Sequence, residues 1–172
     1  MIYTSRCPST LGEILLAADD QGLTGLWFAE QQRHMGLGLS PHAEERPSPF
    51  FDEARRWLEI YFAGRDPGFT PTLHLTGPDF RVRVGKILLA IPYGQTATYG
   101  EIAAQIAKER GLARMSARAV GGAVAKNPIS LIVPCHRVVG ANGSLTGYGG
   151  GIDRKIALLK LEGAWKDGFR TP

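Results

Sequence analysis

Residues 132–138 read Ile132-Val133-Pro134-Cys135-His136-Arg137-Val138. An apolar run ends in a proline, and a cysteine and a histidine follow at once. Pro134 has no backbone N–H and a fixed φ, so a strand over Ile129–Val133 has to stop there. A chain that turns sharply at Cys135 can present its sulfur to a surface or pocket, where a nucleophile belongs. Lone buried cysteines are also common and inert, so the short motif leaves both readings open.

Working outward, Ser116 to Pro128 precedes this stretch and reads as a helix. Ser116 suits an N-cap, and Asn127-Pro128 an end with Asn in a left-handed cap. Its exposed face is predicted to be small: Ala117, Ala119, Gly121, Gly122 and Ala123. Glycine inside a helix costs about 1 kcal/mol relative to alanine, so close approach of a partner or of another helix should compensate. Arg118 projects near its start. Before it, Thr98-Tyr99-Gly100-Glu101 has the Ser/Thr-x-x-Glu capping pattern and opens a helix to about Lys108, with Ile102, Ala103 and Ile106 on its buried face. Two short helices in a basic region predict a helix-turn-helix, although the 109–115 connection is longer than a tight turn.

Charge divides the chain. Residues 1–76 carry 6 Lys/Arg and 10 Asp/Glu, whereas 77–172 carry 14 and 6. A basic half faces a polyanion more readily than an acidic one. The 172 residues suffice for one large or two small domains, and the boundary falls at Thr76-Gly77-Pro78, giving domains 1–76 and 77–172. No run is long enough to span a membrane. The opening residues lack a secretory pattern. Two distant cysteines, Cys7 and Cys135, form no disulfide framework, and a reactive thiol suits a reducing cytoplasm.

In the first half, strands are predicted over Ile2–Arg6, Leu11–Ala18 and Leu23–Phe28, with turn chemistry at Asp19-Asp20-Gln21-Gly22. Residues 32–48 read as a loop. Phe50, Ala54, Trp57, Leu58, Tyr61 and Phe62 form an amphipathic helical stripe, stopped by Gly64, and Thr72–Leu75 is a further strand candidate. Cys7, His34, His42 and His74 match no common zinc spacing, so no metal is expected. Phe80, Val84, Ile87, Leu88 and Ile91 give the next helix, ended by Pro92-Tyr93-Gly94.

The ensemble of Arg118-Ala-Val-Gly-Gly-Ala, Asn127-Pro128, Pro134-Cys135-His136-Arg137-Val138, Gly147-Tyr148-Gly149-Gly150 and a final helix running to Glu162-Gly163 resembles the DNA repair alkyltransferases that act on 6-O-alkylguanine. The likeness is strong over about 78–164 and weaker before it. It implies an α/β chain: a small ribonuclease-H-like domain, then a mainly helical, winged-helix-like DNA-binding domain bearing the chemistry. The implied reaction is irreversible transfer of the alkyl group of 6-O-methylguanine in duplex DNA to Cys135, with 4-O-methylthymine a second candidate substrate and no metal or organic cofactor. A monomer is expected, with no obligate protein partner.

The resemblance also assigns roles. His136 acts on the thiol through water, and Glu162 orients the ring. Asn127 braces the turn at the site. Tyr99 helps rotate the nucleotide out of the duplex, and Arg118 fills the hole left behind, since a stacked base is out of reach of a thiolate. Ala119 and Gly122 lie against DNA. Tyr148, Gly149 and Val138 form the base pocket, where donors stabilise the departing guanine. Arg137 is read as an ion-pair partner. The chain departs from the family at Arg81 and Val84, where Gln and Trp are frequent, at Ser130, where some relatives carry proline, and in its longer 108–116 segment. Competing readings are a lesion-binding protein without catalysis, which Cys135 disfavours, a helix-turn-helix regulator, and a thiol hydrolase, which would turn over repeatedly.

Overall fold

The computed structural model describes residues 1–31 and 41–171. It divides into two compact units, Met1–Thr76 with Pro128–Ile132, and Gly77–Asn127 with Val133–Pro172. The linear reading gave all of 77–172 to the second domain. The structure instead groups Pro128–Ile132 with the first unit, because the backbone of Leu26 captures it. Leu26 N–H donates to the Pro128 carbonyl at 2.9 Å, and the Leu26 carbonyl accepts from Ser130 N–H at 2.9 Å. The expected strand over Ile129–Val133 is reduced to one bridge between Leu26 and Ile129. The hydrogen-bonding partner runs out after one residue, and the chain then turns.

In the first unit, β1 (Tyr3–Cys7), β2 (Ile14–Ala18), β3 (Leu23–Phe28) and β4 (Glu44–Glu45) form a sheet ordered β3-β2-β1-β4. The β1–β2 and β2–β3 pairs are antiparallel and β1–β4 is parallel. The β2–β3 turn forms as its residues dictate: Asp19 Oδ1 accepts from the N–H groups of Gln21 and Gly22, an Asx-type turn. Every residue of β2 is buried. Alternation sends Leu15, Ala17 and Trp27 to one face, where Ile2 covers them, and Ile14, Leu16 and Phe28 to the other. Helix α1 (Pro49–Phe62) packs on β2 and β3. Ser48 caps it, Pro49 opens it, and the stripe Phe51, Ala54, Trp57, Leu58 and Tyr61 is buried. Trp57 and Tyr61 stack with centroids 4.9 Å apart.

Thr72–Leu75 does not form the expected strand; only Leu73 bridges, to Leu23. His74 is engaged locally, with Nδ1 2.5 Å from Asp19 Oδ2. His34 and residues 32–40 of the expected loop lie outside the described residues, while Glu44–Glu45 of that loop form β4.

The second unit is mainly helical: α2 (Asp79–Leu89), α3 (Tyr99–Glu109), α4 (Ala117–Ala125) and α5 (Ile152–Leu161), with the two-residue strands β5 (Ala97–Thr98) and β6 (Val138–Val139) paired in parallel. Helix α4 packs against both α2 and α3, placing its buried Val120, Ala123 and Val124 inward. Ala123 is therefore core, not part of the exposed small face, and Gly121 is half-buried. Asn127 does not adopt the left-handed cap expected of it; Lys126 closes α4 with φ −95°, and the only described non-glycine residue with positive φ is Leu131.

Both helix starts follow the sequence. Thr98 Oγ1 accepts from Glu101 N–H, and Ser116 Oγ from Ala119 N–H, each cap contributing about 1 kcal/mol. The long connection between them is ordered at its α3 end by a Schellman motif. Gly111, at φ +65°, donates to the Lys108 carbonyl and Leu112 to the Ala107 carbonyl, the two bonds that define it. A second small core of Val139, Leu145, Leu159 and Ala164 gathers Ile152, Ile156, Trp165 and Phe169 behind the site. No helix among the described residues is long and apolar enough to cross a membrane.

Candidate active site

Two tight turns set up the cysteine. Ile132 N–H donates to the Ser130 carbonyl at 2.8 Å around Leu131, held at φ +71°. This is the γ-turn of positive φ, a conformation that costs a leucine about 1–3 kcal/mol. Further on, Cys135 N–H donates to the Val133 carbonyl at 2.8 Å around Pro134 at φ −82°, ψ 66°. That is the inverse γ-turn, which proline's fixed φ fits. Asn127 Nδ2 donates to the same Val133 carbonyl at 2.8 Å. Pro134 thus ends the extended chain as its chemistry requires, and Asn127 braces the turn from within the second unit.

Cys135 then opens a single 3₁₀ turn, Cys135–Arg137. Cys135 is 7 % exposed, and His136 is fully buried. The strand geometry that would send adjacent side chains to opposite faces does not apply to this turn. His136 Nε2 lies 2.5 Å from Glu162 Oε2. Arg137 clasps the same carboxylate through Nε at 2.8 Å and Nη2 at 3.2 Å, and its Nη1 donates to the Ile91 carbonyl at 2.7 Å. Gly94 N–H adds a donor to Glu162 Oε1 at 3.2 Å. Gly94 has φ +80°, and a Cβ there would stand 3.2 Å from the Glu162 carbonyl. Burial raises the Glu162 carboxyl, but His136 and Arg137 outweigh it and hold it at about 2. Burial lowers the pKa of His136 more than Glu162 raises it, so the ring is neutral and can accept a proton on one nitrogen while Glu162 holds the other.

Tyr148 places its ring edge-on to His136, with centroids 6.4 Å apart. Its hydroxyl is buried and makes no hydrogen bond with the protein. Burial first, and a charge on Cys135 second, push its pKa well above the ordinary phenol value, so it stays protonated as a donor. Gly150 makes room for it, since a Cβ there would fall 2.4 Å from the Tyr148 ring. Gly149 is exposed, and Val138 is buried.

Tyr99 is the first residue of α3, and its hydroxyl donates to the Thr146 carbonyl at 3.0 Å. Gly147 is needed beneath it: a Cβ would lie 2.9 Å from that hydroxyl. Burial, then Cys135, raise the Tyr99 pKa. Arg118, Ala119 and Gly122 are exposed on α4, and Gly121 turns toward the Tyr99 ring.

One charged residue escaped the sequence reading. Lys155 is fully buried, and its Nζ donates to the Val138 carbonyl at 2.6 Å and to the Thr146 carbonyl at 3.1 Å. Burial lowers it to about 8, against the pull of charge on Cys135. A signal existed: Lys155 sits three residues after Ile152 and three and four before Leu158 and Leu159, on the apolar stripe of α5, where a lysine head cannot reach water unaided.

Comparison with known proteins finds relatives in both sequence and fold. The sequence pattern of the 6-O-methylguanine DNA methyltransferase DNA-binding domain matches residues 79–164, and that of the ribonuclease-like domain of the same family matches residues 2–75. A methylated-DNA–protein-cysteine methyltransferase of Methanosarcina acetivorans is 45 % identical over 163 residues, covering 95 % of this chain and 99 % of its own. One of Mycobacterium tuberculosis is 48 % identical, covering 94 % and 93 %. The crystal structure of the M. tuberculosis protein OGT in complex with DNA superposes with a TM-score of 0.77 at 45 % identity, covering 95 % of this chain and 92 % of that one. On both sequence and fold, the chain belongs to the 6-O-methylguanine DNA methyltransferase family of methylated-DNA–protein-cysteine methyltransferases.

Proposed function

We propose that this protein repairs duplex DNA by moving the alkyl group of 6-O-methylguanine irreversibly onto Cys135. The observation that carries the reading is the burial of Cys135, His136 and Glu162 together, with the cysteine opening a tight turn and the adjacent histidine held by the Glu162 carboxylate. Such a set supports a nucleophile–base–orienter reading. The Cys135 proton passes to His136. The sulfur then attacks the alkyl carbon, a C–S bond forms, and the C–O bond to guanine breaks with its electron pair going to the base. The Tyr148 hydroxyl is the donor that meets the charge building on the departing guanine. A thioether has no easy exit, so each molecule acts once.

Tyr99 and Arg118 serve base extrusion, Tyr99 at the start of α3 and Arg118 as the side chain that occupies the vacated stack. Ala119 and Gly122 form the smooth part of α4 that lies along the groove. Gly149 and Val138 complete the pocket. Lys155, with its ammonium electrostatically linked to Cys135, steadies the thiolate. In this reading residues 77–172, less the segment captured by the first unit, carry the reaction, and the protein works as a cytoplasmic monomer.

Intact-protein mass spectrometry with peptide mapping tests it, after incubation with a duplex containing one 6-O-methylguanine. One methyl group on Cys135, saturating at one per protein, is the expected result. Lesion binding with no mass change would instead make the protein a lesion reader.

A further inference from the structure

Outside the reactive site, a hollow of about 410 Å³ lies between α3, the connection after Gly111 and the start of α4. Its walls include Ala103 and Ala107, and its charged lining is Lys108 and Arg114. We propose that this hollow seats a backbone phosphate of duplex DNA, with Lys108 and Arg114 as the cations that grip it. The inference rests on the DNA repair reading and extends it to a contact that the 108–116 segment of this chain supplies.

Three observations carry it. The first is charge. Lys108 and Arg114 are exposed, and neither makes an ion pair among the described residues. Glu109, the acid next to Lys108, is clasped by Arg83 and also accepts from Gln105, with Arg83 holding its carboxyl below the ordinary range. The surface is left with uncompensated positive charge, which a polyanion answers.

The second is rigidity. The Schellman bonds at Gly111 and Leu112 fix one end of the connection, and the Ser116 cap fixes the other. Only residues 113–115 lie between the two devices, so binding a phosphate there orders little chain and costs little entropy.

The third is chemistry and place. Alanine walls offer no side-chain donor or acceptor with which to read a base edge, so the hollow suits the backbone, which positions but does not specify. Gly100 and Ala117 also line it, and they are the chain neighbours of Tyr99 and Arg118. A phosphate seated here belongs to the strand beside the nucleotide those two residues handle.

The test is fluorescence anisotropy of the full chain on a labelled duplex, with and without the lesion, from about 50 to about 200 mM NaCl. Each phosphate contact contributes about 0.9 to the slope of log affinity against log salt. The Lys108→Gln/Arg114→Gln variant is expected to lower that slope by about 0.9, the one phosphate contact, and to weaken lesion and intact duplexes alike, with alkyl transfer from the free 6-O-methylguanine base unchanged. Arg114→Lys, which keeps the charge, should hold the wild-type slope. Lys86→Gln, an exposed cation on α2 away from the hollow, should not change it. A double variant with the slope of wild type or of Lys86→Gln would overturn the proposal, and so would a loss confined to the lesion duplex. Should the double variant not match wild type in thermal melting, Arg114→Gln alone is read, with an expected loss of about 0.4, half of the one contact. The repair reading fails separately: wild type would then leave Cys135 unalkylated by lesion DNA, whatever the salt slope.

Discussion

His136 Nε2 stands 2.5 Å from Glu162 Oε2, with both side chains wholly inaccessible to solvent. The contact joins residues 26 apart, one in a 3₁₀ turn and one at the end of α5. It fixes the orientation of the ring through Nε2. His136→Ala is expected to slow alkyl transfer by about 10²–10⁴-fold, the range for a positioned proton acceptor. Single-turnover rates on lesion duplex, with the duplex affinity unchanged, measure it.

The same pair makes stability depend on pH. Glu162 has a folded pKa of about 2 against 4.5 unperturbed. Its contribution, about 3 kcal/mol at the usual conversion, is present above 4.5 and is lost as pH falls toward 2. His136, lowered by burial from 6.5, loses its contribution as pH falls below 6.5. Urea melts across pH should show both losses in wild type, and Glu162→Gln should lack the lower one.

Arg137 holds Glu162 with two bonds and the Ile91 carbonyl with a third. Removing one partner of a buried pair leaves the other charge uncompensated. Arg137→Met should destabilise the fold by about 3–5 kcal/mol as read by urea unfolding. Arg137→Lys should recover only part of this, because an ammonium cannot make the forked contact.

Tyr148→Phe separates structure from chemistry. The buried hydroxyl makes no hydrogen bond with the protein, so its removal should leave the melting temperature equal to wild type or higher. Transfer from lesion DNA should still fall by about 10²–10³-fold if the hydroxyl donates to the leaving base. Equal stability with unchanged transfer would strip Tyr148 of that role.

Lys155 has a folded pKa of about 8 against 10.5 unperturbed. The cost of burying its charge is fully present below about 8 and is relieved as pH rises toward 10.5, so wild type should gain stability over that window. Lys155→Met should lose this gain. It should also slow transfer at pH 7 by about tenfold or more, equivalent to about 1.4 kcal/mol in the barrier.

Arg118→Ala should impair transfer from duplex DNA more than from the free base, because only the duplex leaves a vacated stack to fill. Paired rates on the two substrates check it, and equal losses would remove the finger role.

Local chemistry was legible in the sequence wherever one residue and its near neighbours decide the outcome. The strand Leu23–Phe28, the caps at Thr98 and Ser116, the α1 stripe and the stop at Pro134 each depend on a few adjacent side chains and on fixed backbone periods. The family motifs added the proposed identity of the reactive cysteine. The tertiary structure alone decided what depends on distant partners. Ile129 has strand chemistry, yet a strand needs an edge, and Leu26 offers one for a single residue. Ala123 looked like exposed small-residue surface until α2 and α3 packed on α4. Lys155 drew no role from the sequence, but the Val138 and Thr146 carbonyls gave its buried head two acceptors. The motifs gave Glu162 its proposed role, but its low pKa follows from His136 and Arg137 brought to it across the fold. Sequence fixes the hydrogen-bonding capacity of each residue; only the folded chain fixes which capacities meet, because desolvation makes every unmet one costly.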